Sequence, residues 1–257
     1  MKFIDTHCHL CDPKFTDLDK VIDNMREQNV KKVINMACCI KTALECKETS
    51  KKYPEVYYAT GIHPMDIKDM QEGDLDRLKD IADDEKCVAI GEIGLDYYWD
   101  KSYKDKQIQG LLYQLELAKE LKLPFSFHSR EATLDTVTIL KENKDKLVHG
   151  GVLHCFAGSK ETAKEILKLG LKIGFGGTLT FKNARSVLEV CDYVPLDSIV
   201  TETDCPFLAP EPVRGTVNEP KNIPYIVDKI ATIKGIEKEK MAEIIYQNAI
   251  ETFTKLK

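Results

Sequence analysis

The chain alternates two kinds of hydrophobic pattern along its whole length. Short apolar, β-branched and aromatic runs, typical of buried strands, are separated by longer stretches in which apolar residues recur every three or four positions, as in an amphipathic helix. The short runs number eight and predict strands within the segments KFIDTHCH, KKVINMACC, VYYATGIHP, CVAIGEIGLDYY, PFSFHSR, GGVLHCFAG, LKIGFGG and SIVTETDCP.

Helical periodicity is clearest in three of the intervening segments and in two more at the end of the chain. The first of these begins with Thr16 and Asp19, a spacing typical of the cap that satisfies the free N–H groups of a helix. The pattern predicts helices over 17–29, 103–121 and 160–169, followed by 223–234 and 238–257.

Strand and helix alternating eight times predict parallel strands joined by right-handed crossovers, so a closed TIM (β/α)8 barrel with additional C-terminal helices is the expected α/β fold. An open doubly wound sheet is the competing arrangement. No G-x-G-x-x-G follows a strand and no P-loop is present, so we expect no nucleotide cofactor. Because no low-complexity linker divides the sequence, we expect residues 1–257 to form one domain.

Composition narrows the possible partners. Lys and Arg total 37 against 42 Asp and Glu, so the net charge of −5 excludes a strongly basic domain. Any nucleic acid must then be held by a local site or by metal ions rather than by a broad positive field. The odd number of cysteines, nine, favours reduced thiols and a cytoplasmic location. No apolar stretch reaches about 18 residues, so no membrane span is expected.

Candidate chemistry is concentrated at predicted strand ends. Alternate residues of a strand share a face, so Asp5, His7 and His9 are predicted to point one way. Active sites of TIM barrels lie at the C-terminal ends of the strands. Only His149 among the six histidines lies elsewhere. The corresponding ends of five further strands contain His63, Glu92, His128, His154 and Asp204.

This set of side chains is suited to divalent metal ions. Imidazoles and carboxylates are good ligands for Zn and Mn, and carboxylates also suit Mg. One metal needs about three protein ligands, so six groups suffice for two ions if a carboxylate bridges them. Glu92 is the natural bridge because its strand lies between the others around the ring. Each residue alone also fits a structural hydrogen bond or ion pair, but their conjunction predicts His7, His9, Glu92, His128, His154 and Asp204 as metal ligands.

Four further side chains are candidates for supporting roles. Two metal ions can stabilise both the attacking and the leaving oxygen at a phosphorus centre. In such a reaction, His63 is expected to contact a phosphate oxygen or the leaving group. Glu202 shares a predicted strand face with Asp204, so it is expected to support the metal ligands from behind or to be one itself. Arg130 and Arg214 are candidates for phosphate contacts, and equally for surface ion pairs.

The segment DYYWD, just past the fourth predicted strand, contains Tyr97, Tyr98 and Trp99. Stacking of an aromatic side chain on an unpaired base is worth about 1–3 kcal/mol and ignores base identity. Tyr97 and Trp99 are therefore candidates for binding single-stranded DNA. The alternative is that the rings pack the loop against the next helix.

The sequence resembles the TatD family of metal-dependent deoxyribonucleases, within the amidohydrolase superfamily. The resemblance rests on FIDTHCHL, GIHP, GEIGLDYY, FHSRE, LHCFAG and TETDCPFLAP followed by RG and NEP, in the family's order from residue 3 to about residue 220. It implies a TIM barrel that hydrolyses DNA phosphodiester bonds by metal-activated water, with 3′-to-5′ exonuclease action on single-stranded DNA or 3′ ends.

The resemblance also implies roles for individual residues. The six predicted ligands fall in the family's motifs, with Glu92 as the bridge between two divalent ions and Asp204 as a ligand that also accepts a proton. Many members of the superfamily use a carbamylated lysine as the bridge, so Glu92 favours the TatD branch.

Two other functions stay open at this stage. The same metals could hydrolyse a small-molecule amide or ester, or an aminoacyl-tRNA ester, and a non-catalytic metal-binding protein is the third possibility. The residue types do not choose between Mg, Mn and Zn. The oligomeric state is also open, with a monomer as the simplest expectation.

Overall fold

Eight parallel strands form one sheet in sequence order in a computed structural model, which describes residues 1–256. All eight predicted strands are confirmed, although the later ones are shorter than their apolar segments. The strands are β1 (Phe3–Cys8), β2 (Val30–Met36), β3 (Val56–Thr60), β4 (Cys87–Asp96), β5 (Phe125–Arg130), β6 (Gly151–Leu153), β7 (Lys172–Phe175) and β8 (Ile199–Thr201).

The helices follow the strands, with two at the C-terminal end as predicted. The cap of the first helix differs from the prediction, because the carboxylate of Asp17 rather than Thr16 accepts a hydrogen bond from the backbone N–H of Lys20, at 3.1 Å. The helices are α1 (Leu18–Glu27), α2 (Ile40–Lys52), α3 (Asp74–Ala82), α4 (Lys104–Leu121), α5 (Thr133–Glu142), α6 (Lys160–Lys168), α7 (Arg185–Tyr193), α8 (Ile223–Lys234) and α9 (Lys238–Thr252).

The ring of strands is completed where the segment after β8 meets β1. The backbone N–H of Asp204 donates to the carbonyl of His7 at 2.9 Å, and that of His9 donates to the carbonyl of Cys205 at 2.8 Å. These bonds confirm the barrel over an open sheet. They also place the two histidines of β1 beside Asp204, although almost 200 residues separate them in sequence.

One predicted side-chain direction in β1 is wrong. The carboxylate of Asp5 accepts hydrogen bonds from the backbone N–H and the hydroxyl of Thr203, at 2.9 and 2.5 Å, and lies beside the thiol of Cys8. The pairing of β1 with β2 shifts register between Asp5 and Cys8, so strict alternation does not hold along the strand. Asp5 therefore does not share a face with His7 and His9.

Two apolar clusters hold the barrel together. The larger lies between the sheet and the helices. The smaller joins strand residues such as Ile4 and Val200 to Phe253 and Leu256, which are fully buried at the end of the chain. Lys255 lies next to them and bonds the carbonyl of Asp84, just before β4, so this segment covers the N-terminal end of the barrel. None of the helices in residues 1–256 has both the length and the apolar character needed to cross a bilayer.

Candidate metal centre

The six predicted ligands converge at the C-terminal rim of the barrel. His7, Glu92 and His128 lie within β1, β4 and β5, whereas His9, His154 and Asp204 lie just beyond the ends of β1, β6 and β8. Five of them line a cavity of about 620 Å³, and the sixth, His7, is fully buried next to them. The parallel arrangement of the strands explains this convergence, because it brings all their C-terminal ends to one side.

Four of the ligand atoms form a first cluster. The Nε2 atoms of His7 and His9 are 3.3 Å apart, and Glu92 Oε2 lies 3.4 and 3.5 Å from them. Asp204 Oδ1 is 3.4 Å from His9 Nε2 and 3.8 Å from His7 Nε2. Two nitrogens and two oxygens thus surround one point.

A second cluster surrounds the other oxygen of the same glutamate. Glu92 Oε1 lies 2.9 Å from His128 Nδ1 and 2.8 Å from His154 Nε2, and these two nitrogens are 3.2 Å apart. His63 Nε2 lies 3.5 Å from the same oxygen. Glu92 therefore contacts the two clusters through separate oxygens, which is the position expected of a bridging carboxylate.

The first cluster fits a metal ion by its donor atoms and by its spacing. Ligands about 2.0–2.2 Å from a tetrahedral zinc ion lie about 3.3–3.6 Å from one another. The distances in this cluster span 3.3 to 3.8 Å. Imidazole nitrogens and carboxylate oxygens are also the donors that zinc, manganese and related ions accept.

Hydrogen bonds from behind orient the imidazole ligands. Asp96 Oδ2 lies 3.0 Å from His128 Nε2, which leaves the Nδ1 of that ring facing Glu92. Ser126 Oγ lies 3.0 Å from His7 Nδ1. Such outer partners fix the ring orientation of metal-binding histidines. Sequence reasoning missed both residues, although the position of Asp96 four residues after Glu92 on the same strand was a usable signal.

The electrostatics of the centre suit cations. Burial by itself raises the pKa of Glu92, but the surrounding histidines hold it well below its usual range. Burial likewise opposes charge on His9 and His154, yet the hydrogen bond to Asp204 and the attraction to Glu92, respectively, raise both pKa values well above normal. Glu92 is therefore ionised, and its negative charge favours positive charge on the groups around it.

Glu202 lies next to the predicted ligand His154, which fits either of the roles expected for it. Its side chain is fully buried, and its Oε1 accepts the backbone N–H of Cys155 and lies 3.6 Å from His154 Nδ1. Among the described residues, neither His154 Nδ1 nor Glu202 Oε2 has a hydrogen-bond partner. Gly174 makes room for this carboxylate, because a Cβ there would lie 2.6 Å from Glu202 Oε2.

His63 lies in the wall of the second cluster. Burial lowers its pKa to about 3, so the ring is neutral. Its Nδ1 accepts the backbone N–H of Met65 at 3.1 Å, which leaves the proton on Nε2, facing Glu92. The structure thus places a neutral N–H donor beside the candidate metal ligands.

The aromatic segment after β4 is split between two environments. Trp99 lines the cavity and is 61% exposed, whereas Tyr97 is only 7% exposed. The hydroxyl of Tyr97 donates to Asp135 at 2.8 Å, and Lys104 lies over its ring. The prediction that Tyr97 binds bases is therefore wrong, because the side chain packs into the protein between α4 and α5.

The two predicted arginines also differ. Arg130 lines the cavity, with its guanidinium carbon 3.8 Å from the ring centroid of Tyr98. Arg214 lies outside the set of side chains that line the cavity, with its guanidinium 3.6 Å from the ring of Phe181. The structure brings Arg130 to the candidate site and leaves Arg214 on the surface beside it.

Comparisons with known sequences find relatives along nearly the whole chain. The family model described as TatD related DNase matches residues 4–254. The metal-dependent hydrolase YabD of Bacillus subtilis strain 168 is 44% identical, covering 97% of this chain and 98% of its own. The metal-dependent hydrolase YcfH of Escherichia coli K12 is 35% identical, covering 98% and 96%.

A solved structure supports the fold. The crystal structure of YjjV, a TatD homologue from Escherichia coli K12, superposes with a TM-score of 0.92 at 31% identity, covering 98% of each chain. The solved relative thus has the same barrel, and both sequence relatives are named as metal-dependent hydrolases. The chain belongs to the TatD related DNase family and is a metal-dependent hydrolase.

Proposed function

We propose that this hydrolase is a deoxyribonuclease that uses two divalent cations to remove nucleotides from the 3′ end of single-stranded DNA. The observation that supports it best is the position of Glu92, whose two oxygens serve two separate clusters of ligand atoms. Paired cations are typical of enzymes that hydrolyse phosphodiesters, because they stabilise both the attacking and the leaving oxygen.

The residues of the site divide the work between them. Cations bound at the two clusters would lower the pKa of water and neutralise charge on the phosphate. Despite burial, the neighbouring histidines hold the pKa of Asp204 below its usual value, so its carboxylate is ionised; its Oδ1 faces the first cluster, where it is positioned to accept the proton of the attacking water. The neutral His63 directs its N–H into the cavity and is positioned to donate to a phosphate oxygen or to the leaving group.

Single strands suit the cavity better than duplex DNA. Its volume of about 620 Å³ is that of a pocket for a few small groups, such as the end of a strand. Trp99 supplies an exposed ring on which an unpaired base stacks, and Arg130 supplies a cation beside it. Local contacts of this kind allow a chain with a net charge of −5 to bind a polyanion.

Incubation with 5′-labelled single-stranded DNA tests the activity. We expect Mn²⁺ or Mg²⁺ to support stepwise shortening from the 3′ end, and we expect a chelator to stop it. His128→Ala should lower the rate at least about a hundredfold, since loss of even an outer partner of a metal ligand costs about 10- to 100-fold. His149→Ala is the matched control, because this histidine lies outside the cavity lining, before β6.

The alternative functions give different outcomes in the same assay. If the DNA stays intact and the protein instead hydrolyses aminoacyl-tRNA or a small ester, the proposed nuclease function is wrong and the protein is an ester hydrolase. Metal analysis tests the pair of ions separately. We expect two equivalents per chain, and fewer in Glu92→Gln; one equivalent in the wild type would contradict the paired site.

A further inference from the structure

Two exposed aromatic rings face the cavity from opposite sides. Trp99, in the loop after β4, is 61% exposed, and Phe207, in the loop after β8, is 43% exposed; both line the cavity. In a ring of eight strands ordered by sequence, β4 and β8 are four positions apart in either direction. The loops that carry the two rings therefore begin on opposite sides of the barrel end that holds the metal ligands.

A cation accompanies the aromatic ring on each side. The guanidinium carbon of Arg130 lies 3.8 Å from the ring centroid of Tyr98 and 5.4 Å from that of Trp99. Across the cavity, Lys14 Nζ lies 4.3 Å from the ring centroid of Phe207. A ring beside a cation is the combination that binds a base and its phosphate in single-stranded nucleic acids.

Both groups are joined to the metal ligands by short connections. On one side, the backbone N–H of Phe207 bonds the carbonyl of Asp204 at 3.0 Å, and its ring lies edge-on to His9 with centroids 6.5 Å apart. On the other side, Asp96 accepts the backbone N–H of Tyr98 at 2.9 Å and orients His128. The segments that carry the two rings are thus tied to the candidate metal ligands.

We propose that Phe207 with Lys14 stacks the base on one side of the scissile phosphate, while Trp99 with Arg130 stacks the base on the other side. This inference rests on the proposed nuclease function and specifies its substrate: a strand end whose last two nucleotides are both unpaired and both carry a base. Neither base is read by hydrogen bonds, so the preference is independent of sequence.

Oligonucleotides that lack one base test the arrangement. We compare kcat/KM for the first cleavage on an intact strand with that on strands in which the 3′-terminal, the penultimate or a distant nucleotide is abasic. Loss of stacking at either of the first two positions should lower the kcat/KM of the wild type about 5- to 150-fold. Loss of the base at the distant position should leave kcat/KM unchanged. The ratio of intact to abasic rates within one protein is the measured quantity, so any general loss of activity cancels.

The two rings should account for different positions. The fall in kcat/KM caused by a missing base is the abasic penalty at that nucleotide. Phe207→Ala should abolish the penalty at one of the two nucleotides, and Trp99→Ala should abolish it at the other. Lys14→Ala should reduce the same penalty as Phe207→Ala, which provides a second variant on that side. Tyr193→Ala is the matched control: this ring is also exposed with a lysine, Lys160, over it, but it does not line the cavity, so both penalties should persist.

The outcomes separate this inference from the proposed function. If the wild type cleaves no DNA with metal present, the nuclease function is wrong. If it cleaves DNA but Phe207→Ala keeps both penalties, or loses the same one as Trp99→Ala, the opposed stacking sites are wrong while the nuclease function stands.

Discussion

The two ends of the eight-stranded barrel differ in the chemistry of their buried side chains. At the C-terminal rim, imidazoles and carboxylates are packed 2.8 to 3.8 Å apart in a largely buried centre. At the N-terminal end, Phe253 and Leu256 close the barrel with apolar side chains that are fully buried.

The contrast shows where this molecule gains stability and where it loses it. Burying polar and charged groups costs free energy unless each finds a partner, and the rim contains a buried imidazole nitrogen and a buried carboxylate oxygen without one among the described residues. Burying apolar side chains is favourable by about 25 cal/mol per Å². The N-terminal end therefore stabilises a barrel whose rim is adapted to bind metal.

The largest effect should come from the N-terminal end. Phe253→Ala should lower the free energy of unfolding by about 3–5 kcal/mol, since it leaves a cavity in the packed end of the barrel. Denaturant titration measures this, with Leu134→Ala, at 78% exposed, as the control that should change little. Activity per folded molecule should stay within about twofold of wild type. A large fall in activity without a loss of stability would contradict the assignment of stability to one end of the barrel and of activity to the other.

An intermediate effect should come from the rim. Asp96→Asn keeps the shape of the side chain but removes the charge that orients His128, so kcat/KM or metal affinity should fall about 10- to 100-fold. Stability in denaturant should change far less than in Phe253→Ala. Asp135→Asn is a control outside the centre, since that carboxylate binds Tyr97 and Lys104. Equal losses of activity in both variants would show that Asp96 acts only on packing.

The smallest effect should come from a residue that lies at the C-terminal rim but is not part of the metal centre. Asp17 lies in the loop after β1, at the same end as the metal ligands, yet it only caps α1. Asp17→Ala should lower the free energy of unfolding by about 1 kcal/mol with activity retained. Thr16→Ala should leave stability nearly unchanged. A larger loss of stability in Thr16→Ala than in Asp17→Ala would show that Thr16 is the cap, as the sequence pattern predicted.

Local pattern was enough to predict most of the secondary structure. The helix over Ile223–Lys234 begins and ends where the periodicity does, and seven strands lie within their predicted segments, whereas β2 begins one residue earlier, at Val30. The last helix ends at Thr252 rather than at the end of the chain. It is followed by the buried Phe253 and Leu256, which the helical pattern did not distinguish from helix.

The errors occur where a residue far away in the sequence determines the direction of a side chain. Tyr97 was grouped with Trp99 by adjacency, but Asp135 of α5 draws its hydroxyl inward. Asp5 was grouped with His7 by alternation, but the register shift in β1 directs it to Thr203 after β8.

By itself, the sequence determined the alternation of strands and helices, the parallel barrel and the residue types at its C-terminal rim, because periodicity and strand polarity are local properties of the chain. Only the tertiary structure decided which oxygen of Glu92 faces which cluster, that Asp96 orients His128, and that Phe207 and Trp99 line the same cavity. These relations depend on ring closure and strand register, which join residues far apart in sequence at distances that no local pattern specifies.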